Sequence, residues 1–328
     1  MDREQIEFCP LTKGGSSMVQ GIFFDLQHLH KSIGNQEPTE TLRTFETTFP
    51  DFFHELETHQ ILCQVSNCRQ PISEQLSHFL YQAKEKGIPQ ENLLFVSDSS
   101  THLQTGKQAG FFVVGYDATH AFLPADYCFE DFSSIDFDYF QHVLCRYQKK
   151  PLSILSTERL FLRELSTKDL PDLYAIYQEP DVYRHMNLPA ESYDTFFDKL
   201  SSYIEKFYPF YDMGMWGVFL KETGQLIGEC GIQPSTVDSK EEIELGYLLS
   251  QPYQKQGLAR EMVLAPLQYA KEQFSCSRIV AQILPDNAPS IALAKQCGMT
   301  YEKSYHQNDT LLHVYVKVST ISSPQRCK

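Results

Sequence analysis

Between Glu242 and Gln273 the hydrophobic period changes from two to 3.6, and the change is sharp enough to fix a local fold. Glu242-Ile243-Glu244-Leu245-Gly246-Tyr247-Leu248-Leu249 alternates as a strand, whereas Leu258, Met262, Tyr269 and Ala270 mark one buried helical face. Tyr253 to Arg260 must therefore hold a tight turn and a helix start. A strand, a turn and a helix start in that order make an anion site. Turn amides converge there, the first-turn amides of the helix lack intrahelical partners, and the helix dipole favours negative charge. Gly257 permits positive φ or close approach of a ligand, and the small Ala259 does not block it. Pro266 interrupts the following helix, which predicts a kink or an early break.

The spacing Gln254-x-x-Gly257-x-Ala259 resembles the Gln/Arg-x-x-Gly-x-Gly/Ala signature of the GNAT superfamily of N-acetyltransferases. Ser156-Thr157-Glu158-Arg159-Leu160-Phe161-Leu162-Arg163 is similar to the first strand of its ribosomal-protein N-terminal acetyltransferase branch. Trp216-Gly217-Val218-Phe219, Gly224 to Gly231 and Asp286-Asn287-Ala288-Pro289-Ser290 follow in that branch's order. The resemblance covers roughly residues 152 to 318 and implies an α+β GNAT fold with a mixed sheet, using acetyl-coenzyme A. It implies that Gln254, Lys255, Gln256, Gly257, Leu258, Ala259 and Arg260 hold the pyrophosphate. Backbone groups of Tyr247 and Leu249, with Asn287 and Ser290, would hold the pantetheine arm. Asn287 is also a good N-cap, and the two roles are compatible. The helical segment from Ala190 to Phe207 lines the acceptor site in that family, which makes Tyr193, Phe196, Phe197 and Tyr203 candidates for substrate contacts; aromatic residues at helical spacing are also ordinary core.

Acetyl transfer to an amine needs a positioned thioester, an exit for the ammonium proton and stabilisation of the oxyanion. Alternation puts Glu244 and Gly246 on one strand face and Leu245 and Tyr247 on the other. A carboxylate beside a residue without a side chain leaves space for substrate, and a partly apolar cleft would raise its pKa toward that of a useful base. Glu244 is thus the candidate base, set against a plain solvent-facing strand glutamate. Many GNAT proteins place an acidic tyrosine seven residues after the Asn287 position; Ala294 stands there, leaving Ser290 and Tyr301 as substitutes.

The preceding half has a different rhythm. Gly21 to Gln27, Ile61 to Asn67 and Asn92 to Ser99 read as strands ending on polar residues. Helical stretches at Phe49–Leu56 and Ser73–Lys86 alternate with them. That order implies a parallel Rossmann-like sheet with any site at the carboxyl ends. It resembles the haloacid dehalogenase (HAD) superfamily over roughly residues 18 to 147, with Asp25 at the nucleophile, Ser66 at the phosphate-binding hydroxyl and Asp98 at a magnesium ligand. The departures fall on the chemistry: Gln27 replaces the general acid, Gln70 stands where a Lys precedes Pro71, and His102 replaces the second metal-side acid. The domain therefore reads as catalytically degenerate, with no metal expected; Asp25 with Asp98 is the alternative magnesium pair. His28 and His30 lack a third ligand at an interpretable spacing.

Tyr147 to Pro151 marks the domain boundary, with 148–151 as linker, 152–318 as the acetyltransferase domain and 319–328 as tail. Residues 1–17 are set aside as a leader. Formal charge is −14, with 20 acids against 11 bases up to Lys150 and 22 against 17 beyond. Two acidic halves argue against a nucleic-acid surface and suit an amine substrate. Nine cysteines at irregular spacing give neither a disulfide framework nor a zinc pattern; Cys63 and Cys68 read as small buried residues. No apolar run reaches the roughly 18 residues of a membrane span, and the start lacks a signal-peptide pattern, so the expectation is cytoplasmic. The leading function is acetyl transfer to a primary amine, on a protein N-terminus or a small molecule. The alternatives are a HAD phosphatase with an accessory GNAT domain, a HAD–GNAT acyl or glyceryl transferase acting on a carrier protein, and a non-catalytic coenzyme A sensor.

Overall fold

The computed structural model describes residues 7–8, 19–26, 46–67, 70–186 and 192–319. The chain divides into two compact units, one of residues 11–150 and one of residues 1–10 with 151–328. β1 (Glu7–Phe8) pairs antiparallel with Ser153–Ser156. The leading segment, set aside as a leader on sequence grounds, thus contributes a strand to the second unit. Gln27, His28, His30 and Cys68 lie outside the described residues, as do the tail residues 320–328.

The first unit runs β2 (Gly21–Asp25), α1 (Pro50–Thr58), β3 (Leu62–Val65), α2 (Ile72–Glu85), β4 (Leu93–Ser97), α3 (Ser100–Gln108), β5 (Phe112–Tyr116), β6 (Tyr127–Phe129) and α4 (Phe137–Tyr147). Its five strands are all parallel, in the order β3-β2-β4-β5-β6. β2 and β4 are buried along their whole length, as a sheet covered on both faces requires. Phe24 packs with Phe52, Phe132 and Phe140 on one face, and Phe23 with Phe79 and Phe95 on the other. Winding runs from β2 outward to β3 and then back across to β4, so the carboxyl ends of β2 and β4 flank the topological switch point.

The second unit continues with β7 (Ser153–Ser156), β8 (Leu160–Arg163), α5 (Leu170–Tyr177), α6 (Pro180–Met186), α7 (Tyr193–Tyr211), β9 (Gly214–Leu220), β10 (Leu226–Val237) and β11 (Lys240–Leu249). It closes with α8 (Leu258–Gln273), β12 (Arg278–Ile283), α9 (Ala288–Gln296), β13 (Thr300–Gln307) and β14 (Thr310–Val318). The nine strands lie in the order β1-β7-β8-β9-β10-β11-β12-β14-β13, and every neighbour pair is antiparallel except β11 with β12. Two hairpins close on two-residue turns, Asp238-Ser239 (φ 49° and 64°) and Asn308-Asp309 (φ 47° and 65°). Two positive φ values in succession match the right-handed strand twist, and Asp and Asn tolerate them.

α7 extends to Tyr211 rather than ending at Phe207, and stops on Asp212 with φ 52°. Of the expected kink or early break, the break does not occur: α8 passes through Pro266 uninterrupted. Proline there removes the amide that would bond the carbonyl four residues earlier, that of Met262. The Cys230 thiol, from β10 beneath the helix, donates to that same carbonyl at 3.4 Å.

Candidate functional site

The mixed sheet parts at one place. β10 and β11 stay paired from Val237↔Lys240 to Gly228↔Leu249, and β12 and β14 from Arg278↔Val318 to Ile283↔His313. Between β11 and β12, one bridge, Glu244↔Val280, joins the strands among the described residues. Beyond it Leu245–Leu249 and Ala281–Ile283 are not paired with each other, and this unpaired interval between the two strands is the wedge. Backbone groups in such an interval have no ladder partner across the gap and can bond an inserted extended ligand instead.

β11 leads from this wedge to the anion turn. Gln251–Tyr253 forms a short 3₁₀ turn, Lys255 takes φ 60°, Gly257 takes φ 80°, and α8 starts at Leu258. A side chain at Gly257 would be strained by that φ, although the space at its Cβ position is open apart from Arg159 at 3.4 Å. The turn is held from several sides. Gln254 donates to the Leu249 carbonyl at 2.9 Å, Gln256 to that of Pro252 at 2.8 Å, and Arg159 to that of Gln256 at 3.0 Å. Glu261, in the first turn of α8, accepts from the Thr157 hydroxyl at 2.6 Å and from the Arg159 amide at 2.8 Å, and pairs with the Arg159 guanidinium at 2.8 Å. Burial pushes Glu261 up, but these donors outweigh it and hold the carboxyl below its ordinary range.

Register sorts the candidates onto two faces. Gln233 lies opposite Glu244, Gly231 opposite Gly246 and Glu229 opposite Leu248, so these share the face covered by α5 and α7, whose Tyr177 and Tyr203 donate to Glu229 and Gln233 at 2.8 and 3.2 Å. Tyr247 lies opposite Cys230 and Cys230 opposite Trp216, on the face covered by α8 and α9. Glu244 and Ser290 are therefore brought to opposite faces of the sheet. Glu244 Oε2 accepts from Gln282 Nε2 at 3.0 Å, and the Tyr305 hydroxyl donates to Gln282 in turn.

Three expectations change. The space beside Glu244 is filled: a Cβ on Gly246 would lie 2.7 Å from the Met215 sulfur, so glycine there admits a neighbouring thioether. Tyr203 is an internal strut, its hydroxyl accepting from the Met215 amide at 2.9 Å while donating to Gln233; Phe196 packs into the core, and Tyr193 is the aromatic left most open. Tyr301 sits on the edge strand β13, three strands from β11, exposed and bonded to Ser304 at 2.8 Å. At about 4.8 Å per strand it is roughly 14 Å from β11. Asn287 does cap α9, its side chain accepting from the Ser290 amide at 3.1 Å. Ala294 is fully buried.

Glu229 is the residue that sequence reasoning missed. It is 4% exposed, and burial pushes its carboxyl up to about 7, with the Tyr177 hydrogen bond opposing. The available signal was a lone acid inside the strand Leu226-Ile227-Gly228-Glu229-Cys230-Gly231-Ile232.

In the first unit, Asp25, Ser66 and Asp98 at the ends of β2, β3 and β4 gather at the switch point with His102 from the first turn of α3. Asp25 is 3% exposed. Its Oδ1 accepts from the Ser66 hydroxyl at 2.7 Å, and its Oδ2 accepts from Ser97 at 2.7 Å and from His102 Nδ1 at 2.7 Å. Burial alone would raise the Asp25 pKa, but the bonds from His102, Ser66 and Ser97 hold it below the usual range, and the Asp25 bond raises that of His102. An imidazole thus stands against the oxygen a magnesium ion would need, and no group of three or more His, Cys, Asp or Glu is arranged for a metal among the described residues. The residues do not fit magnesium. Gln70 brings no charge: its amide donates to Asn67 at 3.2 Å and its carbonyl accepts from Gln75 at 2.9 Å. Cys63 is half-buried, its thiol pushed up to about 12 by burial. No helix among the described residues is long and apolar enough to cross a membrane.

Comparison with known proteins falls on the second unit. The acetyltransferase (GNAT) domain family matches residues 159–300. A Bacillus licheniformis protein called uncharacterized N-acetyltransferase p20 is 30% identical over 158 residues, 46% of this chain and 84% of that protein. The Bacillus subtilis protein YkkB is 26% identical over 166 residues, 50% of this chain and 95% of its own length. A crystal structure of an acetyltransferase from Agrobacterium tumefaciens aligns with TM-score 0.44 and 26% identity, covering 52% of this chain and 94% of that one.

Proposed function

We propose, from the premise that this chain belongs to the GNAT acetyltransferases and is an N-acetyltransferase, that it takes acetyl-coenzyme A into the wedge between β11 and β12. The acceptor is a primary amine reaching the wedge from the Glu244 face. The observation that carries the reading is the parting of β11 from β12 after Glu244, directly continuous with the left-handed turn at Lys255 and Gly257. The amides of Gln254 to Arg260 and the dipole of α8 suit a pyrophosphate, and backbone groups of Tyr247 and Leu249 suit an extended pantetheine arm. Bound acetyl-coenzyme A supplies the thioester. The chain's own residues then orient the amine and take its proton, as the nitrogen–carbon bond forms and the carbon–sulfur bond breaks. Our candidate to take that proton is Glu244, and the hydrogen bond from Gln282 to its carboxylate supports the reading.

The test is calorimetric titration with acetyl-coenzyme A, followed by a panel of peptide and small-molecule amines read by free-thiol release. Gly257→Val and, at an exposed position of the turn, Lys255→Glu should each weaken binding. Melting curves separate the φ strain of the first variant from loss of the site. No heat with the unaltered protein sinks the reading.

For the first unit, the reading is a HAD-like remnant that does not hydrolyse phosphate esters. A nucleophile with both oxygens already bonded attacks poorly, and His102 excludes the metal that would neutralise the phosphate. Magnesium and an activated aryl phosphate should give no turnover. Turnover that vanishes in Asp25→Asn would overturn this.

A further inference from the structure

Among the described residues, one side-chain link crosses the wedge on each face. On the α5/α7 face, Gln282 of β12 reaches Glu244 beside the only bridge between the strands among the described residues. On the α8/α9 face, further along the opening, Tyr247 of β11 meets Ser290 in the first turn of α9. The Ser290 hydroxyl donates to Tyr247 Oη at 2.9 Å, and Tyr247 Oη donates to the Ser290 carbonyl at 3.0 Å. The second end of this reciprocal pair is stiff, because the Asn287 cap holds the Ser290 amide. The first end is equally fixed, because β11 stays paired with β10 through Leu249.

We infer that the Tyr247–Ser290 pair is a clasp that sets the width of the cofactor wedge, with Tyr247 a positioning residue for the pantetheine-binding wall and for Ser290. This deepens the reading of the wedge as an acetyl-coenzyme A site and rests on it. An acid role for Tyr247 fails on magnitude. Burial pushes its phenol up to about 12, while an ordinary thiol lies near about 8.5, so donating a proton to a thiolate runs about 3.5 pH units uphill. An aliphatic hydroxyl such as Ser290 is a weaker acid still. What the pair does instead is geometric. Two walls without a common ladder sample many separations, and a ligand sees only the fraction of molecules at the right one.

The two bonds make an asymmetric prediction. Tyr247→Phe keeps the ring and removes both bonds; Ser290→Ala removes one and leaves the bond to the carbonyl. Coenzyme A and acetyl-coenzyme A affinity, by calorimetry, should fall about tenfold in Tyr247→Phe and about threefold in Ser290→Ala, as expected for hydrogen bonds of ordinary net strength. The double variant should match Tyr247→Phe, because without the Tyr247 hydroxyl the Ser290 hydroxyl no longer links α9 to β11. Melting of the free protein, followed in parallel, should change far less than affinity. Unchanged affinity, multiplicative losses in the double variant, or losses that track melting would each overturn the clasp while leaving the cofactor site standing. Absence of heat with the unaltered protein would overturn the site and the clasp together.

Discussion

The two sheets treat a strand carboxylate in opposite ways. In the parallel sheet, Asp25 is buried and meets Ser66, Ser97 and His102, so both of its oxygens are engaged. In the mixed sheet, Glu244 lies at the last point where β11 and β12 are joined, and Gln282 holds one of its oxygens. Every donor aimed at a carboxylate stabilises the charge and lowers its basicity. A carboxylate closed in this way holds loops together. One placed where backbone pairing stops, with a single donor on it, fits the proposed role of taking a proton from a substrate.

The sharpest break of this comparison is to exchange the expected losses. Glu244→Gln keeps shape and the Gln282 contact and removes the proposed base. Where proton removal limits the rate it should slow the acetyl-transfer step about 10²–10⁴-fold, with acetyl-coenzyme A affinity retained. Single-turnover measurements across pH with one amine would show it. If Asp25→Asn slowed acetyl transfer by such a factor while Glu244→Gln did not, the assignment of structure and chemistry to the two sheets would be reversed.

Glu229 is the intermediate case, a carboxylate as buried as Asp25 but with Tyr177 as its hydrogen-bond donor. A rise from 4.5 to about 7 corresponds to about 3 kcal/mol at about 1.4 kcal/mol per pH unit. The folded form holds its proton more tightly than the unfolded form. Stability is therefore unaffected below about 4.5, falls as pH rises through the window to about 7, and stays reduced above it. Glu229→Gln should flatten that fall, leaving the variant less pH-sensitive between pH 5 and 8 in chemical denaturation. A fall of the same size in the variant would place the titrating group elsewhere.

Much of the wedge was legible because it is local. The alternation of β11, the turn at Gly257, the face of α8 and the cap at Asn287 are each decided within a few residues, and sequence spacing carries that information. The same holds for the parallel sheet, whose strands are short apolar runs. What stayed hidden depends on partners far along the chain. Met215 fills the space over Gly246, Tyr177 bonds Glu229 from 52 positions away, Ser290 meets Tyr247 across 43, and Cys230 meets Met262 across 32. No periodicity records such pairs, since register and helix placement create them. Residues 7–8 were hidden for the same reason: two residues have no period, and their strand exists only against β7.

The Asp25–His102 pair gives a smaller effect with its own pH signature. Its His contribution is fully present below about 6.5 and is lost as pH rises through the raised His102 pKa. Its Asp contribution is present above about 3.9 and is lost as pH falls through the lowered Asp25 pKa. The pair should support the first unit most between these values. Breaking a fully buried pair costs about 3–5 kcal/mol, but the His102 side chain is 28% exposed, so about 2 kcal/mol is the fitting scale. Asp25→Asn should lower the unfolding free energy of the first unit by that amount near pH 5.5 and by less near pH 9. Equal losses at both pH values would mean that the serine bonds, rather than the imidazolium, hold Asp25.

The smallest effect concerns an acceptor instead of a carboxylate. Pro266 cannot bond the Met262 carbonyl, and the Cys230 thiol takes that place at 3.4 Å. Burial pushes the thiol well above its ordinary pKa, so it remains protonated and a donor at any working pH. Cys230→Ala leaves the carbonyl unpaired inside the sheet–helix interface and should cost about 1 kcal/mol. Cys230→Ser, which keeps a donor at nearly the same volume, should cost less. Pro266→Ala restores the helical amide, so the cost of Cys230→Ala should shrink by about the same 1 kcal/mol in that background. The measurement is a double-mutant cycle by chemical denaturation. A cycle that closes additively would show that Cys230 only fills volume under α8, and that the helix tolerates Pro266 without replacing the missing bond.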